Sequence, residues 1–298
     1  MARIALKVDV DTFRGTRDDV PRLLALLAER KLRATFLFSL GPDHTGRAIR
    51  RVFRPGFVSK VARTSVVSHY GLKTLMYGVL LPGPRIARRC AGVLHAVADA
   101  GHETGIHCWD HVEWQDKVAD RDLAWTRRQL EQALAEYRSV FGRDARTHGA
   151  AGWQANEHLF ALEDEFGLDY ASDARGRGPF LPVANGRTFR CPQLPTTLPT
   201  MDELVGVDGA TPDDAVGQLL ALTPGEGPDQ VFTLHAELEG RAYAPQFARL
   251  LDAWAARGHR LVTTEELWRS LDVAALPRAA VIRGTVPGRS GLLAAQAA

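Results

Sequence analysis

Short apolar runs alternate along this chain with longer amphipathic stretches, and that alternation restricts the fold more than any other property. The runs at 4–8, 34–38, 103–106, 168–171, 231–234 and 260–262 read as buried strands. Between them, 20–30, 89–100, 123–141, 156–166, 245–257 and 264–271 carry apolar residues at helical spacing. Leu23, Leu24, Leu26 and Leu27 form the apolar side of the first helix; Pro21 suits its first turn, and Asp18 or Asp19 can cap it. Repeated strand–helix units imply a parallel sheet covered by helices, an α/β architecture. The Pro- and Gly-rich stretch 176–199 predicts irregular backbone. With 298 residues, 45% of them hydrophobic, the chain can bury a large core as one barrel or as two smaller domains.

Two strand ends carry the chemistry. The first strand runs into Asp9-Val10-Asp11, and the strand at 103–106 runs into His107-Cys108-Trp109-Asp110-His111. A single histidine is usually structural. Two imidazoles four residues apart, joined by an Asp-x-Asp pair, can hold one divalent cation with two nitrogens and one carboxylate. Positions stay open for water, and the second aspartate is free to act on it. The same ligand set serves non-haem iron oxygenases, but those have no use for a second aspartate beside the ligand. Zinc, cobalt, manganese and iron all suit these donors.

Between the second strand and the next helix lie about fifty residues, too many for an ordinary connection. From His44 to Ala98 there is no Asp or Glu, while Arg47, Arg50, Arg51, Arg54, Lys60, Arg63, Lys73, Arg85, Arg88 and Arg89 are basic. The whole chain carries a formal net charge of +2 and this stretch +10, so the remainder sits at −8. Phe53, Phe57, Tyr70, Met76, Tyr77, Leu80 and other apolar residues are interleaved. Such an insertion, spanning 42–88, predicts a surface that lies on an anionic membrane, in preference to a helical lid packed on the barrel. Nucleic acid is disfavoured, because no binding motif accompanies the charge.

The three cysteines, Cys90, Cys108 and Cys191, form no CxxC pair, so a reducing compartment is expected. No secretory signal and no spanning helix are visible. The expectation is a cytoplasmic protein, peripheral on the inner face of its membrane.

Asp9-Val10-Asp11, Gly101-His102-Glu103 through His111, and Leu234-His235 resemble the ordered motifs of the polysaccharide deacetylase family (NodB-type, carbohydrate esterase 4). The resemblance implies a distorted (β/α)7-type barrel, one domain over 1–298, and a metal-dependent amide hydrolase. It implies Asp9 as general base, Asp11, His107 and His111 as metal ligands, and His235 as general acid. A closer likeness, to those members that deformylate a sugar on undecaprenyl phosphate, covers nearly the whole chain. It is carried by Val8 to Arg17, His107 to His111, Ala150-Ala151-Gly152-Trp153, Ser172 to Gly176, Leu198-Pro199-Thr200 and His235 to Gly240. That likeness implies release of formate from 4-deoxy-4-formamido-L-arabinose on its lipid, a step in modifying lipid A against polymyxin and other cationic peptides. The alternatives are an N-deacetylase of another amino sugar, against which the basic insertion argues, and a non-catalytic lipid- or sugar-binding protein, against which Asp9 and His235 argue.

The family's Arg-x-Pro-aromatic motif, whose arginine orients the base, is replaced by Ala150-Ala151-Gly152-Trp153. Arg175 is the candidate substitute. Asp173 is open between steadying the acid histidine and capping a turn. Arg14 and Arg17 are expected to bind the substrate phosphate, with solvated loop residues as the alternative. Trp109, Trp153 and Phe180 could wall a pocket that prefers formyl over acetyl, or belong to the core. Glu237 and Glu239 either meet the product amine or face solvent. His102 and Glu103 are expected to support the ligands.

Overall fold

The computed structural model describes residues 2–48 and 72–298. Eleven strands occur among the described residues: β1 (Arg3–Val10), β2 (Thr35–Ser39), β3 (Glu103–Cys108), β4 (Thr147–His148), β5 (Tyr170–Ala171), β6 (Leu181–Ala184), β7 (Arg187–Thr188), β8 (Gln230–His235), β9 (Arg260–Val262), β10 (Arg278–Gly284) and β11 (Leu293–Gln296). Seven form one sheet in the order β5-β4-β3-β2-β1-β8, with β9 against the start of β1. Every pairing in it is parallel. No strand pairing joins β5 to β8. Instead Leu194 N–H donates to the Ala171 carbonyl at 2.7 Å and Thr197 N–H to the Val231 carbonyl at 3.1 Å. The irregular stretch expected at 176–199 thus closes the barrel with loop backbone, which is the source of the distortion. It also contains β6 and β7, which join β10 and β11 in a separate four-stranded sheet.

Strand periodicity sorts β1 into two faces. Leu6, Val8 and Val10 pack with Leu23, Leu27, Phe247, Leu250 and Trp254 in the layer between sheet and helices. Each such side chain, fully buried, stabilises the fold by roughly 1.5–3 kcal/mol. Ala5 turns the other way, onto Tyr170, Leu194, Val231 and Val262. Lys7 and Asp9 follow at two-residue steps and are buried.

The helix Leu123–Phe141 matches its expected bounds, capped by Asp122 and ended by Gly142 in the left-handed region. The expected helix 89–100 is two pieces, Ile86–Arg89 and Ala91–Asp99, separated at Cys90. Asp19 occupies the cap position of Val20–Glu29 without a side-chain cap bond and pairs instead with Arg241 at 2.8 Å. All three cysteines are free and buried.

Of the expected insertion, residues 49–71 lie outside the described residues. Its two ends meet, because Asp43 N–H donates to the Pro84 carbonyl and Ile86 N–H to that of Gly41. Arg85 and Arg88 both reach Glu136, at 3.0 and 2.9 Å, so this share of the basic charge grips the barrel. The turn after helix Leu72–Met76 exposes Val79 by 55% and Leu80 by 74%. Among the described residues no helix is long and apolar enough to cross a membrane.

Candidate active site

The parallel register puts the chemical residues on one rim. Asp9 is the direct partner of His235 on β8, and His107 ends β3 just before Cys108. Asp110 then caps the helix His111–Lys117 by accepting from Glu113 N–H at 3.0 Å, which places His111 at the helix start. Asp110 is itself held by His44 Nδ1 at 2.5 Å. Cys108 turns away, against Ser39.

Asp11, His107 and His111 each offer a ligand atom within 4.8 Å of the others. Asp11 Oδ1 lies 3.3 Å from His107 Nε2 and 3.4 Å from His111 Nε2. His107 Nδ1 is 2.7 Å from the Gly149 carbonyl, which can only accept, so Nδ1 carries a proton and Nε2 is the nitrogen turned to Asp11 and available to a cation once unprotonated. Asp11 Oδ1 is buried without a hydrogen-bond partner. A buried anionic oxygen facing two imidazole nitrogens fits a divalent cation. Burial alone would raise the Asp11 carboxyl, but His111 and His107 hold it well below the ordinary carboxylate range.

Glu237 fixes the backbone here. Its Oε1 accepts from the Asp11 and Thr12 N–H groups at 3.1 and 2.9 Å and from the Thr12 hydroxyl at 2.8 Å. A Cβ at position 15 would lie 1.9 Å from that oxygen, so any residue larger than glycine there would displace the Glu237 carboxylate.

Asp9 Oδ2 lies 3.6 Å from the ammonium of Lys7, which also donates to the Ser172 carbonyl at 3.2 Å. Burial pulls Lys7 below its ordinary range, with Asp9 opposing. Asp9 Oδ1 lies 3.9 Å from His107 Nδ1 and has no hydrogen-bond partner. Opposite, His235 Nδ1 is 3.7 Å from Asp202 Oδ1, and Arg289 bridges Asp202 and Glu203 at 3.1 and 2.8 Å. Trp153 joins the two halves, its ring 6.2 Å from that of His235. Lys7, Arg175 and Arg289 lie 5.4, 5.0 and 4.8 Å from its ring centre. Gly152 and Trp153 both have positive φ, +62° and +51°, an uncommon conformation that a tryptophan adopts only where its surroundings impose it.

A protein of Shewanella sediminis (strain HAW-EB3) is 34% identical over 297 residues, spanning 100% of this chain and 95% of its own length. One from Wigglesworthia glossinidia brevipalpis is 30% identical over 292 residues, 95% of this chain and 98% of its own. Both are described as 4-deoxy-4-formamido-L-arabinose-phosphoundecaprenol deformylases, ArnD. The chain belongs to the ArnD family. No protein-family model matches it. A solved structure from Mycobacterium smegmatis, described as a polysaccharide deacetylase, superposes with a TM-score of 0.66 at 18% identity, over 96% of this chain and 95% of the other. It shares the distorted (β/α) barrel.

In this ArnD-family chain the expected site residues separate into three groups. Asp9, Asp11, His107, His111, His235 and Trp153 gather at the rim. Arg14 and Arg17 lie on the turn after β1, facing Asp18 at 3.9 and 2.6 Å. Others do different work. Arg175 does not hold Asp9: its guanidinium pairs with Glu203 at 2.5 Å and donates to the Leu198 carbonyl. Asp173 holds His148 at 2.7 Å, and the carboxylate beside His235 is Asp202. Glu237 and Glu239 are buried away from solvent and accept from backbone N–H groups. Phe180 packs with Ala174 and Ala294 under the second sheet. Glu103 binds Thr35 and Tyr170, and His102 binds Ala34 N–H, both at the far end of β3.

Sequence reasoning missed Lys7, Asp202 and Arg289. For Lys7 a signal existed, a lysine inside an otherwise apolar buried strand; for the other two none did.

Glu239 gives a pH signature. Burial pushes its carboxyl up from 4.5 to about 8 while it accepts from His235 N–H at 2.9 Å. A raised folded value means its stabilising contribution is full below about 4.5 and lost as pH rises through about 8. Urea unfolding across that window should show the wild type losing more stability than Glu239→Gln, by an amount on the order of 5 kcal/mol. Parallel curves would remove the assignment.

Proposed function

We propose that this protein hydrolyses the formamide of 4-deoxy-4-formamido-L-arabinose carried on undecaprenyl phosphate, giving formate and the amino sugar lipid that goes on to lipid A. Two observations support it: the nearly full-length likeness to ArnD proteins, and Asp11, His107 and His111 converging beside Asp9. Asp11, His107 and His111 would hold a divalent ion, which would supply Lewis acidity for the hydrolysis.

The remaining chemistry belongs to the chain. Asp9 takes the proton of the water that attacks the formyl carbon. Lys7 keeps Asp9 in place, in the role that the missing motif arginine has in the wider family. His235, opposite Asp9 on the neighbouring strand, protonates the amine as the C–N bond breaks, because an unprotonated amine is a poor leaving group. Asp202 faces its other ring nitrogen. Trp153 walls the rim between them, and Arg14 and Arg17 offer guanidinium groups to the phosphate.

Mass spectrometry of the formamido sugar lipid incubated with protein and Zn²⁺ tests the reaction. Loss of the mass of CO, abolished by EDTA, is expected; an unchanged lipid refutes it.

The 42–88 insertion is read as the membrane contact, which makes this a peripheral protein on the cytoplasmic face. Val79 and Leu80 project from its described part, beside a basic sequence in which each Lys or Arg near anionic lipid contributes about 1 kcal/mol. Vesicles of anionic phospholipid should pellet the protein at low salt. Val79→Asp/Leu80→Asp should weaken that binding about tenfold or more. Equal pelleting of both chains would remove the membrane part of this reading.

A further inference from the structure

A buried polar cluster under β4 takes no part in the steps above. His148, Glu163, Asp173 and Gln193 are all at most 1% exposed. Asp173 Oδ1 lies 2.7 Å from His148 Nδ1, and Oδ2 accepts from Gln193 Nε2 at 2.8 Å. Gln193 Nε2 also donates to Glu163 Oε2 at 3.2 Å. Burial, with Asp173 adding, holds the Glu163 carboxyl well above its ordinary range, so Asp173 carries the negative charge of the pair. His148, Glu163 and Asp173 lie within 4.8 Å of one another, as a cation site would need. Both oxygens of Asp173 and Nδ1 of His148 already have protein partners, which makes this a closed network rather than a second metal site.

One contact leads out of it. Asp173 Oδ1 accepts from Ala150 N–H at 2.7 Å. That N–H belongs to the same peptide unit as the Gly149 carbonyl, and the Gly149 carbonyl accepts from His107 Nδ1 at 2.7 Å. We propose that Asp173 is a positioning residue for His107, acting through the Gly149–Ala150 peptide. The series runs from the imidazole Nδ1–H to the carbonyl oxygen, across the amide, and from its N–H to the carboxylate. Hydrogen bonds in series polarise one another, so a full negative charge on the N–H side makes the carbonyl oxygen a stronger acceptor. That locks the His107 tautomer with its Nε2 lone pair toward Asp11 and His111, and makes the imidazole a better donor to a cation. The peptide passes on the effect of the charge while Asp173 stays out of the water-accessible rim. His148 and Gln193 hold the carboxylate in line.

This inference rests on the metal reading of Asp11, His107 and His111, and not on the identity of the sugar lipid. The test is Zn²⁺ affinity of the full chain by chelator competition, together with the absorption spectrum of the Co²⁺-loaded protein. Asp173→Asn keeps an acceptor for Ala150 N–H but removes the charge. It is expected to bind Zn²⁺ about tenfold more weakly, with a shifted Co²⁺ ligand-field band. Wild-type affinity and an unshifted band in a folded Asp173→Asn protein overturn the proposal. Should the variant not fold, the wild type decides. Loading Zn²⁺ draws density from His107, and the Ala150 amide proton must move downfield in the ¹⁵N-labelled protein; an unmoved resonance overturns the relay. A wild type that takes up no Zn²⁺ overturns the metal reading and the relay together.

Discussion

Asp9→Asn protein is expected to bind Zn²⁺ as tightly as the wild type and to release formate at no more than about a thousandth of its rate. Asparagine has the shape of aspartate and can still accept from Lys7, so the fold and the three candidate ligands stay in place. What it lacks is a lone pair basic enough to take a proton from attacking water. Asp9 Oδ1 is the oxygen in question: it is buried, has no hydrogen-bond partner and lies 3.9 Å from the His107 ring nitrogen. His107→Ala should instead lose metal and turnover together. Formate release by Asp9→Asn at the wild-type rate, with Zn²⁺ bound, would show that another group accepts the proton.

Lys7→Met should be the most damaging single change beneath the site. Methionine fills much of the lysine volume but leaves Asp9 buried with no cation 3.6 Å away. Removing one partner of a buried pair costs about 3–5 kcal/mol, because the other is left uncompensated. Urea unfolding should shift accordingly, and turnover should fall about a hundredfold as Asp9 loses its charge or its position. Removing both charges, in Lys7→Met/Asp9→Asn, should recover much of the lost stability, since neither group is then stranded. If the single and double variants unfold at the same midpoint, the two side chains are not coupled.

The local parts of the site were legible because they are written within a few residues. Asp9 and Asp11 share one strand end, and His107 and His111 flank one strand-to-helix turn. Periodicity located the strands of the barrel well, apart from β4, where Thr147 and His148 are both polar and form no apolar run. The helices Met201–Leu204 and Pro212–Leu222 were not anticipated, the first because a single turn has no periodicity to read. Arg175 went to the wrong partner in the sequence reading because charge complementarity, without coordinates, does not say which carboxylate is nearest. Glu237 and Glu239 looked solvent-facing because acidic residues after a strand usually are; here each caps backbone N–H groups inside the protein.

Strand–helix alternation by itself determined the fold class, and the resemblance of the ordered motifs pointed to the family and to Asp9, Asp11, His107, His111 and His235 at the rim. Alternation depends on a period of two or 3.6 residues, which any reader of the chain can count, and the residues of each motif lie within a few positions of one another. Tertiary structure alone decided which charges are paired. Lys7 with Asp9, Arg289 with Asp202, Glu237 with the Asp11 backbone and Asp173 with the peptide behind His107 are choices made in a buried, weakly screened interior. There an unpaired charge costs several kcal/mol, so the geometry of chain segments distant in sequence, and not their composition, settles the partner.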